Sequence, residues 1–337
     1  MFDTHESYRN AWDNAYVVDP EIPLNIDIEL ASICNLRCPF CFYGEADWLH
    51  SMEDKASDGK PKKRIMPTEM AMKIIDDAAN LGVPALKFNW RGESTLHPDY
   101  SDILKYARTK TNFIVDLLFT DETGGGAGHH VISFHDILVN TNANCKDNAI
   151  DGLMAATKCM ISLDSCVPET YAKMRVNGRL EKAIEITKEL IKRKHPNLWI
   201  RRVITKENRE EKFTENVHKI FGGEGYKVSE HHCVDRSTDS SHQIDNPDAY
   251  ERTYCGYPSQ RIMVASDGTC YPCCVDYDGT MPMGNIHMET IEEIWNGEKF
   301  KKLRKELRDN IFTSLACQKC TSWMAYDAPH RANVQDK

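Results

Sequence analysis

No apolar run in the sequence approaches the roughly 18 residues of a membrane span. Its start, MFDTHESYRNAWDNAY, has no basic segment followed by an apolar block of the kind a signal peptide needs. Both absences lead to the expectation of a cytoplasmic chain. An excess of positive charge is missing too. The formal net charge is -9, which gives no broad field for a phosphate backbone and argues against nucleic acid as a partner. The basic run KASDGKPKKR (55–64) sits among Gly, Pro and Ser and reads as a solvated loop. The glycines of FTDETGGGAGHHVISFHD (119–136) lack the Gly-Lys-Ser/Thr ending of a phosphate loop, so that stretch reads as an inserted loop or hairpin; its His129, His130 and His135 are candidates to touch substrate, with simple exposure as the plainer reading. No solenoid-type repeat is present.

What the chain does have is cysteine. With 337 residues, 41% hydrophobic and 28% charged, it is an ordinary globular protein, long enough for one large domain and a smaller one. Thirteen cysteines are many for a compartment in which thiols stay reduced, and dense spacing there points to metal. Three stand at 34, 38 and 41, and six crowd between 255 and 320. The others, Cys145, Cys159, Cys166 and Cys233, have no ligand spacing and are expected in the core. His231, His232 and Cys233 are adjacent at the end of a predicted strand, where neighbours point to opposite faces, so they are not expected to share one ion.

Strand-length apolar runs alternate with amphipathic helical stretches, the rhythm of parallel β/α units. PLNIDIELASI leads into Cys34, and the helix MPTEMAMKIIDDAANLG follows, with Gly82 as its C-terminal cap. ALKFNW, FIVDLLFT, DILVNT, KCMISLDS, LWIRRVIT and YKVSEHH are the further strand candidates. About six units fit between residues 24 and 233, fewer than a complete eightfold barrel holds. The fold expected is α/β: a partial (β/α)6 barrel of the TIM type over 24–233, after an extension at 1–23. A polar linker at 234–253, a small hairpin-plus-helix domain at 254–322 and a tail at 323–337 complete the chain.

The stretch CNLRCPFC (34–41) offers three thiols where a closed zinc site takes four ligands. A four-iron cluster on three cysteines leaves one iron open for chemistry. The motif also begins where the first parallel strand ends, the rim on which β/α barrels place their active sites. At 255–320, Cys255, Cys273, Cys317 and Cys320 supply a closed set of four, with Asp267 and Gly268 forming the turn of a hairpin between the first two. From cysteine counting alone, zinc is the simplest occupant of that second set.

CNLRCPFC, with Phe40 before the third cysteine, resembles the cluster motif of the radical S-adenosylmethionine (radical SAM) superfamily. The resemblance implies that Cys34, Cys38 and Cys41 bind a [4Fe-4S] cluster whose open iron is chelated by S-adenosylmethionine (SAM). Reductive cleavage of SAM then yields a 5'-deoxyadenosyl radical that abstracts a substrate hydrogen. NWRGESTLHPDY (89–100) resembles the family's G-G-E-P segment, with Arg91 in place of the first glycine and Ser94 in place of the proline; Gly92 is kept, and Glu93 is the implied partner of the SAM amino group. NTNAN (140–144) resembles the T-N-G turn, with Asn142 kept and Ala143 in the glycine's place. MISLDS (160–165) resembles the S-L-D strand end, which implies a SAM contact for Ser162 and a further one for Arg175; simple turn and strand-end hydrogen bonding is the alternative for all three.

The C-terminal pattern C-x(12)-G-x(4)-C, E-x-I-W-N-G and C-x-x-C resembles the SPASM/twitch region that follows many such barrels. No cysteine follows Cys320, so the shorter twitch type is implied, with one auxiliary [4Fe-4S] cluster on Cys255, Cys273, Cys317 and Cys320. Cys270 and Cys274 lie close enough to compete. The implied activity is hydrogen abstraction completed as an oxidation or rearrangement, with an electron donor such as flavodoxin or ferredoxin. The short stretch of about 23 residues before the first strand leaves no room for an independent leader-binding unit. That tilts the expectation toward a small molecule of carbohydrate or aminocyclitol type over a peptide substrate. A non-catalytic zinc-binding interaction module is the reading from another class.

Overall fold

The computed structural model describes residues 4–44, 63–110, 134–233 and 255–320. Most of the basic run 55–64, the candidate strand FIVDLLFT (113–120), nearly all of the 119–136 insert with His129 and His130, the 234–253 linker and the 323–337 tail lie outside those residues.

Helix α1 (His5–Asn14) is opened by a Thr4–Ser7 capping box and lays Tyr8 against Leu24 and Ala85, at the starts of the first two strands. The barrel then runs β1 (Asn25–Ile28), α2 (Thr68–Leu81), β2 (Ala85–Lys87), α3 (Tyr100–Thr109), β3 (Asp136–Thr141), α4 (Ile150–Ala155) and β4 (Lys158–Ser162). It continues with α5 (Pro168–Met174), α6 (Leu180–Lys192), β5 (Leu198–Ile204), α7 (Phe213–Phe221) and β6 (Lys227–His232). Gly82 ends α2 at φ +82°, the left-handed conformation in which glycine meets no Cβ penalty.

Strand pairing is parallel from β1 through β6, each strand beside its predecessor. One face of the sheet is covered by the helices. Cys159 and Ile161 of β4 and Leu198 and Ile200 of β5 join Ile74, Ile103 and Ile186 in that core, where burial of each large side chain contributes roughly 1.5–3 kcal/mol. The alternate residues line the inner face.

The C-terminal segment adds α8 (Tyr257–Gln260), β7 (Arg261–Val264), β8 (Thr269–Tyr271), β9 (Gly284–Asn285), α9 (Ile291–Trp295), α10 (Glu298–Arg308) and α11 (Leu315–Lys319). Its hairpin forms as the Asp267-Gly268 turn suggests, with Gly268 at φ +81°. The hairpin does not stand apart. β7 pairs parallel with β1, Asp27 opposite Met263, so the described strands form one sheet in the order β6-β5-β4-β3-β2-β1-β7-β8-β9. No local signal in RIMVAS specifies the register of this junction, which sets the hairpin of the second cysteine group beside the first strand.

Candidate active site and cluster-binding cysteines

The first cysteine loop leaves β1 at its C-terminal end. Within it the Cys41 amide donates to the Cys38 carbonyl at 3.0 Å, and the Leu36 amide points at the Cys34 sulfur at 3.4 Å. Arg175 donates from Nη1 to the Cys38 sulfur at 3.5 Å and pairs with Asp164 at 2.5 Å, and its guanidinium lies 5.6 Å from the Phe40 ring centroid. N–H donors aimed at sulfur suit a thiolate, the metal-binding form. Burial pushes the Cys34 thiol up to about 12, Glu93 adding to the effect, and burial likewise raises Cys38 against the pull of Arg175. Free of metal, both stay protonated at neutral pH, so metal binding displaces protons.

The Gly92–Glu93 segment docks directly on the chain entering that loop. Gly92 has φ +71°, and a Cβ there would overlap the Ala31 carbonyl oxygen and lie 2.5 Å from that of Ile33. Only glycine permits this approach. It lets the Glu93 amide donate to the Ile33 carbonyl at 2.8 Å, one residue before Cys34.

The Glu93 carboxylate is 4% exposed. It accepts from Thr95 Oγ1 at 2.6 Å, Thr141 Oγ1 at 2.8 Å and the Asn142 amide at 2.9 Å. All its donors are neutral, and among the described residues no Lys, Arg or His pairs with it. A buried carboxylate without a cation is costly unless a positive ligand completes it. The site therefore fits a cationic amino group.

Asn142 ties this carboxylate to the cysteine loop. Its Nδ2 donates to Asn35 Oδ1 at 3.0 Å, and Asn35 in turn donates to the Asn144 carbonyl at 2.8 Å. Ala143, in the place of the family's glycine, takes φ +56° and keeps the turn at a cost of roughly 1–2 kcal/mol. Ser162 ends β4 on the inner face, beside Arg201 of β5. Phe40, Gly92, Glu93, Asn142 and Arg175 thus gather round the cysteine loop, while Ser162 stands on the wall next to it. Arg175 spends its bonds on Asp164 and Cys38. Ser94 puts a buried hydroxyl, without a hydrogen-bond partner among the described residues, where the family has proline.

The residue the sequence comparison treated only as a departure, Arg91, has a structural task. It is 6% exposed and forms a bidentate pair with fully buried Glu29, at 2.5 and 3.2 Å, and donates to the Tyr277 carbonyl at 3.1 Å. Glu29 also accepts from the Ser266 hydroxyl at 2.9 Å. Burial works against the Arg91 charge, but Glu29 more than offsets it and the guanidinium pKa is raised. This network joins the G-E segment to the C-terminal hairpin. Trp90 reinforces it by donating to the Cys274 carbonyl at 2.9 Å, and Tyr277 stacks on Phe42 beside Cys34 and Cys41 with ring centroids 4.5 Å apart. An arginine in the glycine's place was the available signal; its partner, 62 residues away, was not legible.

Cys255, Cys273, Cys317 and Cys320 line one pocket whose other walls include Tyr257, Pro258, Val275, Leu303 and Leu307. Four thiols converging in an apolar pocket fit an iron-sulfur cluster. Of the two competitors, Cys270 is fully buried in the main core and Cys274 packs beside Trp90. Cys145, Cys159 and Cys233 are buried, as expected of packing residues, and Cys166 packs against the core partly buried. No described helix is long and apolar enough to cross a membrane.

Comparison with known proteins agrees with this geometry. Residues 28–220 match the radical SAM superfamily, and residues 255–321 match SPASM, an iron-sulfur cluster-binding domain. The S-adenosyl-L-methionine-dependent 2-deoxy-scyllo-inosamine dehydrogenase of Niallia circulans is 35% identical over 69 residues, 20% of this chain and 28% of that protein. A tungsten-containing aldehyde ferredoxin oxidoreductase cofactor-modifying protein of Pyrococcus furiosus is 34% identical over 103 residues, 28% of this chain and 24% of that protein. The chain thus spans about a quarter of the length of these curated relatives. Among solved structures, Streptococcus suis SuiB bound to S-adenosylmethionine superposes with a TM-score of 0.60 at 14% identity, covering 94% of this chain and 75% of SuiB. BtrN in complex with AdoMet and 2-DOIA gives 0.54 at 14% identity, covering 89% and 93%. These likenesses show a shared fold. With a superfamily match over more than half of its length, a three-cysteine loop at the end of the first strand and a SPASM match over the second cysteine group, the chain belongs to the radical SAM superfamily.

Proposed function

We propose that the protein is an enzyme that abstracts a hydrogen atom from an organic substrate and completes an oxidation or rearrangement. The observation that carries this reading is the three-thiol loop beside Glu93, a buried carboxylate whose donors are all neutral. Cys34, Cys38 and Cys41 would hold a [4Fe-4S] cluster and leave one iron for SAM, while Cys255, Cys273, Cys317 and Cys320 would hold an auxiliary cluster. When bound and reduced, the first cluster with SAM supplies the hydrogen-abstracting radical, and the second, closed by four cysteines, supplies a path for electrons.

The chain's own residues bind, orient and shield. Glu93 receives the amino group of SAM, and Gly92 brings its backbone against the strand that enters the cysteine loop. Asn142 couples that carboxylate to Asn35, so the SAM site and the loop move as one unit. Arg175 screens Cys38, with Asp164 fixing the guanidinium. Phe42, Tyr43 and Tyr277 cover Cys34 and Cys41 with apolar surface and restrict access of water. The electron donor is a small redox protein such as a flavodoxin or ferredoxin.

A small-molecule substrate is favoured by the local identity with the Niallia circulans dehydrogenase. Peptide modification is the second reading, favoured by the fold shared with SuiB, which is also solved bound to its precursor peptide SuiA. Anaerobically reconstituted protein is expected to form 5'-deoxyadenosine from SAM with dithionite, and Cys38→Ala to form none. Equal product from both, or none from a fully loaded wild type, would remove the proposal.

A further inference from the structure

The β8–β9 end of the sheet carries a cavity of about 480 Å³, within the size range of small-molecule pockets. None of the residues lining it belongs to the SAM site or to either set of cysteines. Arg91 and Ser266 form one wall, so the cavity lies against the Glu29–Arg91 pair that joins the hairpin to the G-E segment. Tyr271 and Thr269 of β8, Asn285 of β9 and the turns that flank these strands supply the rest.

Tyr271 is 9% exposed, yet its hydroxyl makes no hydrogen bond among the described residues. Gly279, which also lines the cavity, has φ +71°, and a Cβ there would stand 2.9 Å from the Tyr271 oxygen. That approach sets the hydroxyl at the cavity wall. Burial pushes the Tyr271 phenol up to about 12, so at neutral pH it keeps a proton to donate. The Glu289 carboxylate folds back over β9, where a Cβ on Gly284 would meet it at 2.7 Å, and it has no ion pair or hydrogen bond among the described residues. The Asp267 carboxylate accepts from the Thr269 amide at 3.0 Å and has no cation partner among them. Asn285 links the two acids: its side chain donates to the Asp267 carbonyl at 3.4 Å, and its own carbonyl accepts from the Glu289 amide at 3.1 Å. Lys299 brings an ammonium to the lining, but it donates to the Pro282 carbonyl at 3.1 Å and pairs with neither carboxylate. Arg91 is committed to Glu29 and Tyr277, and Asp278 adds a third acidic side chain. Two carboxylates without a cation and a buried hydroxyl without a partner suit an ammonium and hydroxyls on one molecule.

We propose that this cavity binds a small hydroxylated amine: Asp267 and Glu289 hold its ammonium group, and Tyr271, Thr269 and Asn285 bond its hydroxyls. Charge-assisted bonds from the ammonium to the two carboxylates supply the larger share of the affinity. Met288, 83% exposed at the rim, offers apolar surface to the carbon body of the ligand. Because Arg91 and Ser266 both line the site and both bond Glu29, a bound ligand rests on the joint between the hairpin and the G-E segment. The inference is independent of the proposed reaction, since none of these groups handles SAM or a cluster.

The test is isothermal titration calorimetry of the cluster-loaded full chain at neutral pH and constant ionic strength. The probes are glucamine, a primary amine on a polyhydroxylated chain, and sorbitol, its uncharged counterpart. Saturable heat is expected with glucamine, and binding at least tenfold weaker with sorbitol. Glu289 is exposed, and Asp267→Asn keeps an oxygen for the Thr269 amide, so Asp267→Asn/Glu289→Gln preserves the fold; it should weaken glucamine binding at least tenfold. Tyr271→Phe should weaken it severalfold, while Glu181→Gln, which removes an exposed carboxylate on α6, should leave it unchanged. No saturable heat with glucamine, equal affinity for sorbitol, or an affinity unchanged by the double substitution would overturn the proposal. The titration needs no SAM cleavage, so its failure is distinguishable from failure of the enzymatic reading.

Discussion

Replacing Arg91 with leucine tests whether the C-terminal hairpin is fastened to the SAM-site segment by the Glu29–Arg91 pair. Glu29 is fully buried, and its carboxylate would lose both guanidinium bonds while keeping the Ser266 amide and hydroxyl donors. The Tyr277 carbonyl would also lose its donor. Breaking a buried ion pair by removing one partner costs about 3–5 kcal/mol, because the remaining charge stays desolvated. For 337 residues the unfolding entropy is about 0.7 kcal/mol/K, so the melting temperature should fall by roughly 4–7 °C. The control is Glu29→Leu/Arg91→Leu, which removes both charges and should lose clearly less than the two single substitutions combined. Melting curves by circular dichroism on cluster-loaded protein read all of these. A loss under about 1 kcal/mol for Arg91→Leu, or a double variant equal to the sum of the singles, would refute the reasoning.

Gly92→Ala should cost on the order of 3 kcal/mol, from the left-handed backbone and the overlap with the Ala31 and Ile33 carbonyls, and melting temperature and iron content should fall together. Glu93→Gln should weaken SAM binding by at least tenfold, measured by equilibrium dialysis, while the cluster still assembles; undiminished binding would remove Glu93 from the site. Burial lowers the pKa of both His97 and His195, whose rings hydrogen-bond the Met66 and Leu153 carbonyls. The unfolded chain therefore takes up protons first as pH falls through about 6.5, so their stabilising contribution is complete above that value and is lost below it. Urea midpoints at about pH 7.5 and pH 5.5 should show a drop that shrinks in His97→Gln/His195→Gln.

The features legible in the sequence are those whose information is local. Spacing placed Cys34, Cys38 and Cys41 in one loop, and the Gly92-Glu93 dipeptide needs only its own backbone to be recognised. Ala143 departs from the motif yet keeps its turn, because the surrounding hydrogen bonds hold φ at +56°. Alternation in KCMISLDS and LWIRRVIT already separates inward from core-facing residues. Long-range pairings were not legible. Nothing in RIMVAS announces that it will add parallel to β1 rather than fold as a separate unit, since that register depends on Asp27 and Met263 meeting across more than two hundred residues. The role of Arg91 was hidden for the same reason: its partners Glu29 and Tyr277 come from opposite ends of the chain.

The central claim, one open and one closed iron-sulfur cluster on a single chain, is tested most directly by iron and sulfide analysis after anaerobic reconstitution. The account predicts about eight irons per chain in the wild type. About four should remain when Cys34, Cys38 and Cys41 are replaced by alanine, and about four when Cys255, Cys273, Cys317 and Cys320 are replaced. A colourless protein that binds zinc in place of iron, or iron content unchanged by either set of substitutions, would contradict it.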